Sequence, residues 1–354
     1  MAGADTHLPL AISSGDPAGV GPEIIGKAWE ARKKQKLKSF FAIGDIASFA
    51  HHWDGPVVRI DNPDQVTERF DDALPVFHVH DCTSIIPGTP DLDGAHCALQ
   101  ALELATGFAR SGTVAGLVTG PVSKAQLYAI GFNYPGQTEF VAERCGVERR
   151  NAVMMLAGPD LRVVPMTTHI PLASVASQLD VRLIRRRIRA TAKGLARDFG
   201  IPNPRLALAG FNPHAGESGN LGREEIDIFA PAIASIANEG FDVIGPLPAD
   251  TMFHAEARRN FDAALCAYHD QALIPLKTLY FHEAVNITLG LPVIRTSPDH
   301  GTAFGIAGKG EARADRTHPA GGIDLPQPVS LAFLELAQQQ RHDLVLLVDP
   351  GLCH

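Results

Sequence analysis

Leu206-Ala207-Leu208-Ala209-Gly210-Phe211-Asn212-Pro213-His214-Ala215-Gly216-Glu217 is the stretch on which the fold turns. Its first six residues are apolar without interruption, which reads as a strand buried on both faces, as in a parallel sheet. A histidine follows shortly after. The same arrangement occurs twice more. Arg162 to Met166 is mostly apolar and leads into Thr167-Thr168-His169-Ile170-Pro171-Leu172. Ala263 to Ala267 leads into Tyr268-His269-Asp270-Gln271-Ala272. A residue just past the carboxyl end of such a strand points into the crevice where open α/β sheets bind ligands. Three neutral imidazoles converging there make a divalent-metal site with positions left open for a substrate. Any one of them alone is equally well explained as a loop hydrogen-bonding group. Three in the same setting, the last followed directly by Asp270, favour the metal.

Working outward, strand-like and helix-like segments alternate. Leu8 to Ser14 reads as a strand, and Gly15 to Gly21 as a glycine-rich turn. Pro22 suits the first position of a helix, with Glu23 in its favourable first turn. Phe40 to Gly44, Leu74 to Val79 and Gly116 to Thr119 read as strands, and Gln100 to Arg110 as a helix. Gly120 to Lys124 turns into a further helix. This alternation predicts an α/β protein with a mainly parallel sheet. From about Arg316 the chain changes character. A turn-rich stretch precedes a helix-like Ser330 to Gln340 and a strand-like Leu344 to Val348, an added edge element or a loosely held extension.

With 354 residues, 45% of them hydrophobic, the chain can bury large cores in two domains. Its 31 basic and 39 acidic residues leave a net charge of -8, which argues against nucleic acid as a partner. The basic run Arg182, Arg185, Arg186, Arg187, Arg189 is interleaved with Val181, Ile184, Ile188, Ala192 and Leu195 at helical spacing. It is therefore predicted to be the solvated face of an amphipathic helix ending near Gly200. Cys82, Cys97, Cys145, Cys266 and Cys353 are odd in number and lack a Cys-x-x-Cys pair. That argues against a disulfide framework or a thiolate zinc cluster. No signal-peptide pattern and no membrane-length apolar run is evident. The expectation is a soluble, cytoplasmic protein without membrane partners.

The Gly-Asp-Pro-Ala-Gly-Val-Gly-Pro-Glu turn at residues 15–23 suits an anion near a helix N-terminus. It fits neither the P-loop nor the dinucleotide fingerprint. Asn286-Ile287-Thr288-Leu289-Gly290-Leu291-Pro292 and Arg295-Thr296-Ser297-Pro298-Asp299-His300-Gly301-Thr302-Ala303 are more specific. The His-Gly-Thr-Ala segment and the opening loop resemble the cofactor and N-terminal loops of isocitrate and isopropylmalate dehydrogenases. With the three histidine motifs and Leu247-Pro248-Ala249-Asp250-Thr251 added, the chain resembles the 4-hydroxythreonine-4-phosphate dehydrogenase family of vitamin B6 biosynthesis, from about Leu8 to Asp315.

That resemblance implies a two-domain, isopropylmalate-dehydrogenase-like homodimer with mainly parallel sheets. Its active site would lie in an interdomain cleft at the dimer interface. Residues 1–145 with about 275–315 would form the first domain, 146–274 the second, carrying dimer contacts, and 316–354 a divergent tail. His169, His214 and His269 match the family's metal ligands, shared between subunits, for a zinc, magnesium or cobalt ion. Gln137, Thr138, Lys277, Asn286 and Arg295 match substrate-contacting positions. Asp250 and Asp270 match acidic residues that support catalysis. His300, Gly301 and Thr302 match the NAD loop.

The residue chemistry is compatible with a phosphorylated hydroxy-amino acid as substrate. Lys277 and Arg295 neutralise anionic groups, and Thr138 and Asn286 donate neutral hydrogen bonds. Lys277, Asp250 and a water are each candidates for taking the alcohol's proton. The implied reaction is NAD-dependent oxidation of 4-phosphooxy-L-threonine to a β-keto acid, which decarboxylates to 3-amino-2-oxopropyl phosphate. Two features depart from the family pattern. Gln137 stands where the family has histidine, and the chain after Asp315 does not match the family's closing helix. The first leaves open a threonate or erythronate phosphate, or a cyclic dihydrodiol acid, as substrate. A hydrolase or lyase built on the same metal cleft without NAD is the reading from another enzyme class.

Overall fold

The structure is a computed structural model that describes residues 8–281 and 283–312. The helix and strand expected beyond Arg316 lie outside the described residues. In chain order the strands are β1 (Leu10–Ser13), β2 (Phe40–Gly44), β3 (Val57–Ile60), β4 (Leu74–His78), β5 (Gly116–Thr119) and β6 (Val153–Ala157). They continue with β7 (Arg162–Pro165), β8 (Leu206–Ala209), β9 (Val243–Leu247), β10 (Ala263–Cys266), β11 (Val285–Leu289) and β12 (Arg295–Ser297).

The described residues divide into two compact units, one up to Gly146 and from Pro292 onward, the other from Val147 to Leu291. The chain thus returns to the first unit at 292 rather than near 275. Lys277 and Asn286 belong to the second unit for that reason. The segment 275–291 stays there because β11 pairs antiparallel with β6, with Asn286 opposite Leu156.

In the first unit the strands run β3-β4-β2-β1-β5-β12, all parallel. Leu10, Ile12, Phe40, Phe41, Ile43 and Leu117 are essentially inaccessible to solvent, so the continuous apolar runs are strands covered on both faces. The helix Leu92–Ser111 packs on β1 and β2. It starts eight residues before the expected Gln100. Asp91 caps it by accepting from the Gly94 N–H at 2.7 Å, which ends the preceding loop at a defined point.

In the second unit the order is β11-β6-β7-β10-β8-β9, with β7, β10, β8 and β9 parallel. The helix Val181–Asp198 packs on β6, β10 and β11 through Ile184, Ile188 and Leu195. Burying each of these side chains stabilises the unit by about 1.5–3 kcal/mol. Its basic face is only partly solvated. Arg185 and Arg189 pair with Glu239. Arg187 is largely buried and donates to the carbonyls of Met166 (3.1 Å) and Arg150 (3.2 Å). Burial pushes its pKa down to about 10, so it stays charged at neutral pH. No described helix is long and apolar enough to cross a membrane.

Candidate active site

The strand order of the second unit explains why the three histidine motifs matter together. β10 lies between β7 and β8, all three parallel. His269 therefore follows the middle strand, with His169 and His214 following its two neighbours at the same end. The rings of His169 and His269 meet with centroids 5.6 Å apart. They line a cleft of about 250 Å³ with Thr167, Ile170, Leu172, Val175, Tyr268 and Asp270.

The β7–β10 pairing continues past the strand ends into these loops. Met166 N–H donates to Cys266 O at 2.7 Å, and the Thr167 hydroxyl donates to Ala267 O at 2.8 Å. Arg187, holding the Met166 carbonyl from the neighbouring helix, fixes the root of the His169 loop. His269 Nδ1 lies 2.7 Å from Asp270 Oδ1. With Nδ1–H donated to the carboxylate, Nε2 carries the lone pair and can act as a metal ligand.

His214 stands in a different local conformation. From His214 to Ser218 the backbone has positive φ throughout, 53° at His214 itself, and His169 has φ 51°. Non-glycine residues rarely occupy this region, and such strain collects at functional sites. The surroundings hold the turn in place. Asn212 N–H donates to Glu225 Oε1 (2.7 Å), and Asn212 Nδ2 donates to Glu224 (2.7 Å) and Glu225 (2.9 Å).

Within one chain the three imidazoles do not form a cluster with all donors inside 4.8 Å of one another, among the described residues. The structure thus brings His169 and His269 together with Asp270, and leaves His214 on the adjacent loop. Asp250 is exposed in the short turn Ala249–Thr251, Lys277 is half-buried on the helix His269–Tyr280, and Asn286 is half-buried on β11.

Gln271 was not singled out from sequence, although it closes the Tyr-His-Asp-Gln motif. Its Oε1 accepts from the Ala267 N–H and its Nε2 donates to Gly210 O, both at 2.7 Å. One side chain thereby ties the end of β10 to the start of the His214 loop. Arg187 was also missed, because within an arginine run nothing marks the one that turns inward.

The first unit holds the remaining candidates. Arg295 is only 3% exposed. Its Nη1 donates to Thr138 Oγ1 (2.9 Å) and its Nη2 to Thr119 Oγ1 (2.7 Å). Burial lowers its pKa to about 10, still well above neutrality. Gln137 opens the helix Gln137–Arg144, and its Nε2 donates to Gly120 O at 3.0 Å. One amide N–H is therefore committed to the main chain, while the buried Oε1 has no partner among the described residues.

The His300–Thr302 loop packs on the glycine-rich turn, with Val20 N–H donating to Thr302 O at 3.0 Å. A Cβ on Gly19 would sit 3.1 Å from that oxygen, and one on Gly15, where φ is +76°, would clash with Pro121 O. His300 Nδ1 lies 2.8 Å from Gly301 O, and its buried Nε2 has no partner among the described residues. Burial lowers its pKa, so the ring is neutral and presents a bare acceptor.

A model of the pyridoxal phosphate biosynthetic protein PdxA matches residues 36–321. The chain belongs to the PdxA family. It is 54% identical over 304 residues to a 4-hydroxythreonine-4-phosphate dehydrogenase of Zymomonas mobilis, covering 86% of this chain and 91% of that one. A protein of the same name from Erythrobacter litoralis is 52% identical over 313 residues, covering 87% and 93%. Among solved structures, the Klebsiella pneumoniae 4-hydroxythreonine-4-phosphate dehydrogenase superposes with TM-score 0.78 at 33% identity, covering 96% and 97%. A terephthalate 1,2-cis-dihydrodiol dehydrogenase from Burkholderia xenovorans has TM-score 0.61 at 30% identity, covering 86% and 93%. The expected fold class and family both hold, and the chain is an enzyme of this PdxA family.

Proposed function

We propose that the chain is a metal- and NAD-dependent 4-hydroxythreonine-4-phosphate dehydrogenase. The observation that carries the reading is the meeting of His169 and His269 over a cleft at the carboxyl ends of β7 and β10. The donor chemistry fits a divalent ion. Two imidazoles face one space, and Asp270 sets the tautomer of one of them. His169, His269 and His214 would hold the ion, with His214 supplied across a homodimer interface. A second subunit is supported by the apolar side chains exposed beside these loops: Ile170, Leu172, Leu221, Ile226 and Ile274. When bound, the metal would supply Lewis acidity toward the substrate alcohol and NAD would supply the hydride acceptor.

The chain's own residues do the rest. Arg295, braced by Thr119 and Thr138, offers a charge for an anionic group of the substrate. Lys277 and Asn286 add a second charge and a neutral hydrogen bond. Lys277 or Asp250, or a water, takes the alcohol proton. His300 fits the cofactor through its buried, unpartnered Nε2, which an amino group would satisfy. Gly301 and Thr302 complete that loop. The oxidised product is a β-keto acid, which loses carbon dioxide to give 3-amino-2-oxopropyl phosphate.

A second reading within the dehydrogenases rests on Gln137. A neutral amide already bonded to Gly120 O adds no positive charge for a phosphate. Threonate or erythronate 4-phosphate and a cyclic dihydrodiol acid are the alternative substrates. The deciding experiment follows reduced-cofactor absorbance with NAD over these substrates, with and without a chelator. Turnover of 4-phosphooxy-L-threonine that the chelator abolishes supports the proposal. Failure to reduce NAD with any of these substrates would overturn it in favour of a hydrolase or lyase.

A further inference from the structure

The cysteines that show no metal-binding spacing in the sequence are brought together by the fold. β4 ends at His78, and the chain continues through His80 and Cys82 over the start of the helix Leu92–Ser111. His80, Cys82 and Asp93 place one donor atom each within 4.8 Å of one another. Asp93 and Cys97 are four residues apart and share a helix face. The Cys97 thiol faces that of Cys82. Three donors from two elements therefore surround one point, and the Cys97 thiol lies beside Cys82 as a fourth within reach of a small side-chain movement.

We propose that His80, Cys82, Asp93 and Cys97 form a structural zinc site, separate from the histidine cleft. Two sulfurs, an imidazole and a carboxylate are a donor set that zinc prefers, and four protein donors leave no open position, as in structural sites. Zinc-to-ligand bonds of about 2.0–2.3 Å require tetrahedral donors to stand roughly 3.3–3.8 Å apart. His80 Nε2 and Asp93 Oδ1 are 2.6 Å apart, so an ion replaces this hydrogen bond after a movement of about 1 Å.

The surroundings prepare the ligands. Thr83 donates from N (2.7 Å) and Oγ1 (3.0 Å) to Asp93 Oδ2, leaving Oδ1 for the ion. Asp45 Oδ2 accepts from Cys82 N–H at 3.1 Å and fixes that residue's backbone. Orienting partners of this kind accompany metal ligands as a rule.

The site bears on the first unit's ligand loops. The loop it would anchor donates from Gly88 N to Ala18 O at 2.8 Å, within the glycine-rich turn. A Cβ on Gly88 would come within 2.8 Å of Phe304 O. Zinc binding thus stiffens a segment that rests on both the glycine-rich turn and the loop after Thr302.

Cobalt(II) titration of chelator-stripped, reduced protein tests this. A thiolate ligand gives a near-ultraviolet sulfur-to-cobalt charge-transfer band that a site of imidazoles alone does not. We expect the band in the wild type and in His169→Ala, and its loss in Cys82→Ser. His80→Ala and Asp93→Asn, at half-exposed positions, should weaken cobalt binding at least tenfold and carry the test if Cys82→Ser does not fold. Absence of the band in the wild type would overturn the proposal. So would a band unaffected by His80→Ala and Asp93→Asn, because that result assigns the ion to the thiols alone.

Discussion

The side-chain amide of Gln271 donates to the carbonyl of Gly210 at 2.7 Å, across 61 residues of sequence, while its oxygen accepts from Ala267. These two bonds set the spacing between the His269 helix and the His214 loop. Gln271→Ala should reduce metal affinity and kcat/KM by about 10- to 100-fold, the usual effect of removing a partner that orients ligands. It should also cost about 1–3 kcal/mol of stability, since a buried N–H loses its acceptor. Gln271→Glu keeps the acceptor for Ala267 but sets a carboxylate against the Gly210 carbonyl, so activity should not return. Wild-type metal affinity in Gln271→Ala would remove the positioning role.

His169, His214 and His269 are each expected to be indispensable. Alanine at any one should abolish turnover and lower the metal content measured by elemental analysis. Because His169 and His269 meet within one chain and His214 stands apart, His214→Ala and His269→Ala should complement when refolded together. Random pairing makes half of the dimers hybrid, each with one intact site of two, so about a quarter of wild-type activity is expected. Hybrids shown to form but without activity would argue against a site shared between subunits.

Arg295 separates charge from geometry. Arg295→Lys keeps the charge but loses the fork that spans Thr119 and Thr138. We expect KM to rise about tenfold, consistent with the loss of roughly 1.4 kcal/mol of charge-assisted bonding. An unchanged KM for every substrate in the panel would remove Arg295 from the binding set.

Asp16 gives a pH signature. Burial raises its pKa from 3.8 to about 6, against the lowering effect of the Ala18 N–H bond. The folded-state value lies above the unfolded one, so the native protein holds this proton more tightly. The destabilisation from the buried charge is absent below about pH 4, grows between 4 and 6, and is complete above 6. Asp16→Asn should therefore stabilise the protein at pH 7.5 by up to about 3 kcal/mol and give no gain at pH 4. Urea midpoints of both proteins at the two pH values check this. An equal effect at both would rule out the charge as its cause.

Much of this arrangement was legible because strands covered on both faces leave continuous apolar runs. β2 and β5 are found where the runs place them, and each histidine follows shortly after its run. The antiparallel pairing of β11 with β6 left no such trace, so the return to the first unit was placed too early. Contacts between distant residues were equally hidden. Nothing near Gln271 announces Gly210, and nothing near Cys82 announces Cys97. Gln137 also spends one amide N–H on Gly120 O, a partner that spacing cannot reveal. Arg187 turned inward because Met166 O and Arg150 O offer it acceptors, which no periodicity encodes.

His169 and His214 both hold left-handed backbone, a conformation costing a histidine about 1–3 kcal/mol. Glycine or asparagine would adopt it more easily. A library of variants ranked by heat resistance alone would therefore enrich His214→Gly or His214→Asn, and its winners would be hardier proteins that have stopped working. Selection for durability in this scaffold must be coupled to a test of turnover in every round.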